Sequence, residues 1–217
     1  MYGRGGVRLT LSFFLECHLF DLWRGTDTHT VLPNTKYVYA PDTFSHGSGY
    51  MGTWRSELLN SFHVVKAFLG DSFRKYAFVD VGCGKGKALL VWKEELDKLK
   101  IESVVAGIEY YDPLAEIARR NYQKLFANGN YIYTDEATKF NYRQFGDRLI
   151  IHIFNPFDDL ILRKFLAGLA GLNTIIIYLN PVHKDVILEF GYDVIYEKRG
   201  WNLATWTVIF ASKYLQP

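Results

Sequence analysis

The amino-acid sequence predicts an α/β fold with a mostly parallel sheet of seven strands, an antiparallel last strand and helices on both faces of the sheet. From residue 77 onward, short apolar runs alternate with segments of helical periodicity, which is the pattern of parallel strands joined by helical crossovers. The last two apolar runs are separated only by residues 199–203, a link too short for a crossover, so these two strands must be antiparallel.

The elements and the domain organisation follow from the same periodicity. Residues 1–70 are expected to form an N-terminal extension, with a helix over about 8–24, a loop over 25–52 and a second helix over 53–69. Residues 71–217 are expected to form the main domain. Its predicted strands are 77–81, 103–109, 131–134, 149–154, 174–179, 193–198 and 204–210, and its predicted helices are 85–99, 113–127, 160–169 and 184–190.

Composition limits the class of protein. The chain has 217 residues, 49% of them hydrophobic, and a formal net charge of +2 that disfavours general nucleic-acid binding. Two cysteines cannot build a disulfide framework or a zinc site, which fits a cytoplasmic location. No apolar run is long enough to span a membrane, and Glu16 and Asp21 interrupt the apolar residues that follow Arg4 and Arg8, so an amphipathic helix is expected there rather than a signal peptide.

One stretch, residues 77–90, organises the rest of the chain. An apolar strand ends in Asp80-Val81 and passes through glycines at positions 82, 84 and 86 into a helix. Glycines let a ligand approach the backbone, and the N–H groups of the following helix point to the same place. The spacing excludes a dinucleotide fingerprint, because Lys87 stands where the third glycine would fall, and it excludes a P-loop, because no Ser or Thr follows Lys87.

Residues 80–86 resemble the D/E-x-G-x-G-x-G signature of class I S-adenosylmethionine-dependent methyltransferases, which have a Rossmann-like fold, and the element order over about 77–212 is similar to that family. The resemblance implies that S-adenosylmethionine is the cofactor, with no metal. It also implies that Asp80 orients the cofactor's amino group, Glu109 binds the ribose diol, Tyr110 stacks on adenine and Asp135 binds the adenine amino group. The cofactor-binding residues implied by the resemblance are Asp80, Gly82, Cys83, Gly84, Gly86, Glu109, Tyr110, Asp135, Glu136 and Asn155.

The fourth strand ends in Asn155-Pro156-Phe157, the expected catalytic loop. This segment resembles the [D/N]-P-P-[Y/F] motif of methyltransferases that act on amino nitrogens. The resemblance implies that the Asn side chain and a proline carbonyl accept hydrogen bonds from the target N–H groups, while the aromatic ring stacks on the substrate. The chain has one proline where the motif has two, so N- and O-methylation both stay open, and a plain strand-terminating turn is the structural alternative.

Further residues are candidates for the acceptor side of the site. The 25–52 loop is long and rich in aromatic residues, so it is expected to be an ordered lid, with Tyr37, Tyr39 and Tyr50 near the substrate. Asn180 and His183 follow the fifth strand at the same rim. His183 and His46 are candidate general bases, whereas His152, within the fourth strand, is expected to be a buried, hydrogen-bonded histidine.

The leading hypothesis is a methyltransferase whose acceptor is a small molecule or a protein side chain. Protein acceptors stay open because a similar glycine turn, followed by a glutamate after the second strand, occurs in the fold family of non-SET histone lysine methyltransferases. The alternatives are a non-catalytic accessory protein that binds S-adenosylmethionine and a nicotinamide-dependent oxidoreductase, against which the glycine spacing argues. The sequence leaves the acceptor and the oligomeric state open.

Overall fold

A computed structural model describes residues 4–29, 50–127, 131–200 and 205–213. Seven strands form one sheet, as the sequence predicts, and their spatial order is β3-β2-β1-β4-β5-β7-β6. The strands are β1 Ala77–Val81, β2 Val105–Glu109, β3 Tyr131–Thr134, β4 Arg148–Phe154, β5 Asn173–Leu179, β6 Tyr192–Arg199 and β7 Trp206–Ser212.

Strand direction also agrees with the prediction. Strands β1 to β5 pair with one another in parallel, whereas β7 is inserted between β5 and β6 and runs antiparallel to both. Because β1, β2, β4 and β5 share one direction, their carboxyl ends meet at the same edge of the sheet. In open α/β sheets this is the edge at which ligands bind.

The described helices are α1 Arg4–Phe13, α2 Leu19–Arg24, α3 Arg55–Leu69, α4 Lys87–Lys98, α5 Asp112–Leu125, α6 Asp159–Gly168 and α7 Lys184–Glu189. A π-helical segment, Phe14–His18, joins α1 to α2 within the helix predicted over 8–24. Helix α4 begins two residues later than predicted, because Gly86 still has a left-handed conformation. Within residues 135–147 the connection from β3 to β4 contains only the 3₁₀ turn Tyr142–Phe145.

Hydrophobic layers cover both faces of the sheet. Residues of α3, α4 and α5 pack on one face, where Trp92 stacks on Phe78 of β1 with ring centroids 4.0 Å apart. Residues of α6 and α7, including Phe165 and Ile187, pack on the other face. Strand β1 is buried along its whole length, so the turn that follows it has a rigid base. Among the described residues, none of the helices is long and apolar enough to span a membrane.

Candidate functional site

The glycine turn connects β1 to α4 and has a conformation that favours glycine. Gly82, Gly84 and Gly86 have φ angles of 76°, 53° and 84°. L-residues adopt these angles rarely because Cβ crowds the following carbonyl group. The backbone N–H groups of Gly82 and Cys83 donate to the carbonyl oxygen of Ile108 in β2, at 2.8 and 3.1 Å. The turn is therefore fixed against the neighbouring strand.

Two predicted site residues pack directly against this turn. A Cβ atom added at Gly82 would lie 3.0 Å from Cβ of Pro156, so the glycine turn touches the candidate catalytic loop. A Cβ atom added at Gly84 would lie 2.2 Å from ring atom Cε2 of Tyr50. The structure thus brings together residues from the N-terminal extension, the glycine turn and the end of β4.

Glu109 ties the turn to the end of β2. Its carboxylate accepts hydrogen bonds from the backbone N–H groups of Gly84, at 2.7 Å, and Tyr111, at 2.8 Å. Burial of the side chain raises its pKa to about 7, although these amide donors favour the charged form, and the negative charge of Asp80 raises the pKa further. Glu109 can therefore change its protonation state near neutral pH.

The acids after β3 lie at the same edge. The backbone N–H of Asp135 donates to the carbonyl oxygen of Glu109, at 3.0 Å, which places the two strand ends side by side. The Asp135 side chain is exposed and accepts from the N–H of Glu136, at 2.7 Å. Glu136 forms an ion pair with Lys139, at 2.9 Å, and Tyr110 is half-buried next to Glu109.

Asp80 and Cys83 are both buried beside the turn. Oδ1 of Asp80 lies 2.6 Å from Nδ1 of His152, so the prediction that His152 is buried and hydrogen-bonded is confirmed. Burial raises the pKa of the Cys83 thiol well above its ordinary value. Cys83 is therefore a neutral packing residue rather than a nucleophile.

Strands β4 and β5 end in the same unusual backbone conformation. Asn155 and Asn180 have φ angles of 41° and 48°, and each precedes a proline. The register pairs Phe154 with Leu179, so the two asparagines follow directly at neighbouring strand ends. Asparagine tolerates a left-handed conformation better than most L-residues, but the proline that follows restricts the backbone of each asparagine further, so both positions carry strain. Backbone strain of this kind is typical of functional sites.

The side chain of Asn155 is held by Tyr178. The Tyr178 hydroxyl donates to Oδ1 of Asn155, at 2.8 Å. Burial raises the pKa of Tyr178 to about 12, so the phenol keeps its proton. One acceptor position of the Asn155 Oδ1 is therefore occupied.

The side chain of Asn180 differs from that of Asn155. Within the described residues, Oδ1 of Asn180 is buried and has no hydrogen-bond partner, so it is an acceptor without a donor.

The remaining predicted site residues are Phe157, His183, Tyr37, Tyr39 and His46. Phe157 is half-buried, and its ring packs 5.7 Å from the ring of Phe165 in α6. His183 is half-buried at the start of α7. Tyr37, Tyr39 and His46 lie outside the described residues. Within the described part of the chain there is no cluster of three or more His, Cys, Asp or Glu residues that could hold a metal ion.

The described ends of the predicted lid cover the glycine turn. Asp27 forms an ion pair with Lys85 in the turn, with Oδ1 and Nζ 2.7 Å apart. The Asn121 side chain of α5 donates to the carbonyl oxygens of Asp27 and Lys85, at 3.0 and 2.9 Å. The Tyr50 hydroxyl donates to the carbonyl oxygen of Thr28, at 2.7 Å. Residues 27–28 and Tyr50 thus form one layer over the turn.

Sequence reasoning did not identify the residue that organises this layer. Asp21 is buried, and its two oxygens accept from the hydroxyl of Thr26, the N–H and hydroxyl of Thr28, and Nδ1 of His29, at 2.6–2.8 Å. Burial alone raises the pKa of Asp21, but the hydrogen bonds from Thr26, Thr28 and His29 outweigh it and lower the pKa below its ordinary value. Helix α2 ends at Arg24 with Gly25 as its left-handed C-cap, and the polar residues 26–29 that follow are the sequence signal of such a turn.

We expect Asp21→Asn to loosen the layer without disrupting the sheet. An amide has one acceptor oxygen where Asp21 uses two, so two donors lose their partner, at a cost of about 1–3 kcal/mol. In the wild-type protein, the stabilisation from the hydrogen bonds of Asp21 should be lost as the pH falls below about 4. The reason is that the pKa of Asp21 is lower in the folded protein than in the unfolded chain. Hydrogen exchange should accelerate over residues 21–29 and 82–87. Asp185→Asn, at an exposed position, is the matched control; equal protection of these segments in both variants would contradict the role of Asp21.

A separate pocket of about 390 Å³ lies away from these residues. It is lined by the end of α3, the 3₁₀ turn before β1 and Ile101, so it opens beside the amino ends of β1 and β2. Because ligands of open α/β sheets bind at the opposite edge, this pocket is not part of the candidate site.

The strand order, the antiparallel β7 and the glycine turn define a Rossmann-like fold of the class I methyltransferase type. Comparisons with protein-family models and with curated proteins give no match. Solved structures do match. SMU.472, crystallised with S-adenosylhomocysteine, has a TM-score of 0.52 and 15% identity over 75% of this chain and 56% of its own. CalS10, an S-adenosylmethionine-bound amino pentose methyltransferase from Micromonospora echinaspora, has a TM-score of 0.56 and 11% identity over 74% of this chain and 92% of its own.

These similarities confirm the predicted fold and leave the reaction open. A pericyclic reaction enzyme also matches, with a TM-score of 0.53 and 13% identity over 69% of this chain and 47% of its own. This chain therefore spans about half the length of two of these three proteins, SMU.472 and the pericyclic enzyme. Because one fold supports different chemistries, the function must be argued from the site.

Proposed function

We propose that this protein is an S-adenosylmethionine-dependent methyltransferase. The observation that carries the proposal is the arrangement of three acids, Asp80, Glu109 and Asp135, in or directly after β1, β2 and β3, beside a glycine turn with three left-handed residues. S-adenosylmethionine has three groups that donate hydrogen bonds: its ammonium group, its ribose diol and its adenine amino group. Solved structures of this fold with S-adenosylmethionine or S-adenosylhomocysteine bound support the choice of cofactor.

The residues present fit this cofactor. Glu109 is buried, and its carboxylate lies between the glycine turn and the end of β2, where a ribose can donate to it. Asp135 is exposed at the adjoining strand end and can accept from an adenine amino group. The bound cofactor would supply an electrophilic methyl group on a sulfonium with a good leaving group. The protein would bind the cofactor and the acceptor, orient them relative to each other and exclude water.

The acceptor side is formed by the two strained asparagines. Oδ1 of Asn180 needs a donor, and an acceptor nitrogen or oxygen that bears a hydrogen would supply it. Asn155, fixed by Tyr178, would hold the same substrate next to the turn, since Pro156 packs on Gly82. We propose an amino nitrogen of a small molecule or a protein side chain as the acceptor.

The buried, free cysteines Cys17 and Cys83 support a reducing, cytoplasmic location.

A non-catalytic accessory role is the second candidate, and one set of observations favours it. The catalytic loop has one proline, Oδ1 of Asn155 already accepts from Tyr178, and Phe157 packs toward α6 rather than standing free to stack on a substrate. Such a protein would bind S-adenosylmethionine at the same acids and transfer no methyl group. The two candidate functions therefore predict the same cofactor binding, but only the first predicts transfer of a methyl group.

Transfer of tritium from methyl-labelled S-adenosylmethionine separates the two candidates. The acceptors would be a primary-amine panel, a phenol and alcohol panel, and unmodified lysine-rich polypeptides. We expect transfer to amines, reduced about 100-fold or more by Asn155→Ala because positioning of the nucleophile is lost. Asn173→Ala, at the opposite end of β5, should transfer normally. Binding of the cofactor without transfer to any panel would favour the accessory role.

A further inference from the structure

A buried pair, Asp80 and His152, lies between the two halves of the candidate site. The two residues are opposite each other in the parallel register of β1 and β4. Their side chains are 6% and 2% exposed, and Oδ1 and Nδ1 are 2.6 Å apart. Asp80 comes two residues before Gly82, and His152 comes three residues before Asn155. The pair therefore joins the end of the strand that leads to the glycine turn with the strand that leads to the candidate catalytic loop.

The histidine is directed at Asp80 and at no other polar group among the described residues. Its Nδ1 donates to the carboxylate, whereas Nε2 is buried without a partner. The surroundings are apolar, with the Phe78 ring 6.3 Å from the imidazole ring. A buried nitrogen without a hydrogen-bond partner is destabilising, so a leucine or phenylalanine would suit an apolar core position better. The interaction with Asp80 is what a histidine adds at this position.

The bond to His152 leaves Asp80 with one carboxylate oxygen engaged and one available. No hydrogen bond joins Oδ2 of Asp80 to another described residue. Glu109 is bonded to the turn through the N–H of Gly84, and the negative charge of Asp80 raises the pKa of Glu109 and of Cys83 in the turn. Two acids at one turn form a negative environment that a cationic group relieves.

We propose that His152 is a positioning residue: through its bond to Oδ1 it fixes the Asp80 carboxylate so that Oδ2 binds the ammonium group of the cofactor's amino-acid portion. This inference rests on the proposed S-adenosylmethionine site. His152 should therefore affect binding of the amino-acid portion of the cofactor. Binding of the ribose and adenine by Glu109 and Asp135 should not depend on His152.

Calorimetry with two ligands tests this selectivity. S-adenosylhomocysteine carries the amino-acid portion, whereas 5′-methylthioadenosine has the same nucleoside and thioether without it. His152→Leu removes the donor to Asp80 and should weaken binding of S-adenosylhomocysteine about 10-fold or more, with 5′-methylthioadenosine changed less than about 2-fold. His152→Asn keeps an N–H donor near the position of Nδ1 and should restore binding of S-adenosylhomocysteine to within about 3-fold of wild type.

Two further variants separate positioning from general damage. Glu109→Gln should weaken both ligands, because both contain the ribose. Asp80→Asn should weaken S-adenosylhomocysteine selectively, and adding His152→Leu to it should have little further effect. Equal losses for both ligands in His152→Leu, unchanged affinities, or additive effects with Asp80→Asn would overturn the inference. Failure of the wild-type protein to bind either ligand would instead overturn the proposed function on which it rests.

Discussion

Replacement of Gly84 by valine is expected to weaken binding of S-adenosylhomocysteine at least about 100-fold and to lower the free energy of unfolding by about 2–4 kcal/mol. Gly84 has a φ of 53°, which a β-branched residue tolerates poorly. Its Cβ atom would lie 2.2 Å from the Tyr50 ring, and that ring is held by its hydroxyl bond to Thr28. Either the turn or the layer over it must move, and the N–H that Gly84 donates to Glu109 moves with the turn.

Gly146→Val is the matched control for Gly84→Val. Gly146 also has a left-handed φ, of 100°, but a Cβ atom added there meets nothing within 4 Å. It precedes β4, at the amino edge of the sheet. This variant should therefore show backbone strain, measured by urea unfolding, and normal ligand affinity, measured by calorimetry. Unchanged affinity in Gly84→Val would mean that the glycine turn does not form the ligand site.

Glu109→Gln is expected to weaken cofactor binding by about 10- to 100-fold at pH 8, because a charged acceptor of ribose hydroxyls is lost and an NH₂ group then faces backbone donors. In the wild-type protein, affinity should fall about tenfold from pH 8 to pH 6, since the pKa of Glu109 is about 7 and the ionised form binds. The variant should show no such slope. Its binding would be measured by calorimetry at both pH values.

Glu109 also predicts how stability depends on pH in the absence of ligand. Its folded pKa of about 7 is above the ordinary value of 4.5, so the folded protein binds more protons between these values. Stability should therefore decrease as the pH rises through this window, and Glu109→Gln should remove that decrease. Glu102→Gln, at an exposed position before β2, should leave both the affinity and the stability slope unchanged. Identical pH profiles for wild type and Glu109→Gln would contradict this assignment.

The fold was predictable because its signals are local. Apolar runs of strand length alternate with helical periods, and the link over residues 199–203 is too short for a crossover, which determines the direction of the last strand. The position of the glycine turn, between a strand and a helix, follows from the spacing of Gly82, Gly84 and Gly86, whereas their positive φ angles are seen only in the structure. The position of Glu109 follows from the end of β2.

The parts of the site that escaped prediction depend on contacts between distant residues. Asp80 and His152 are 72 positions apart, and Asp27 and Lys85 are 58 positions apart. No periodicity encodes that Tyr50 packs on Gly84 or that Tyr178 holds Asn155. The strain at Asn155 and Asn180 is also a tertiary property, because an Asn-Pro pair in sequence is compatible with an ordinary extended turn.

Equilibrium binding of tritiated S-adenosylmethionine to the wild-type chain tests the central claim most directly. The arrangement of Asp80, Glu109 and Asp135 around the glycine turn predicts saturable binding of one molecule per chain, displaced by S-adenosylhomocysteine and unaffected by NAD⁺. Absence of saturable binding, or displacement of the label by NAD⁺, would contradict the assignment of this edge of the sheet to S-adenosylmethionine.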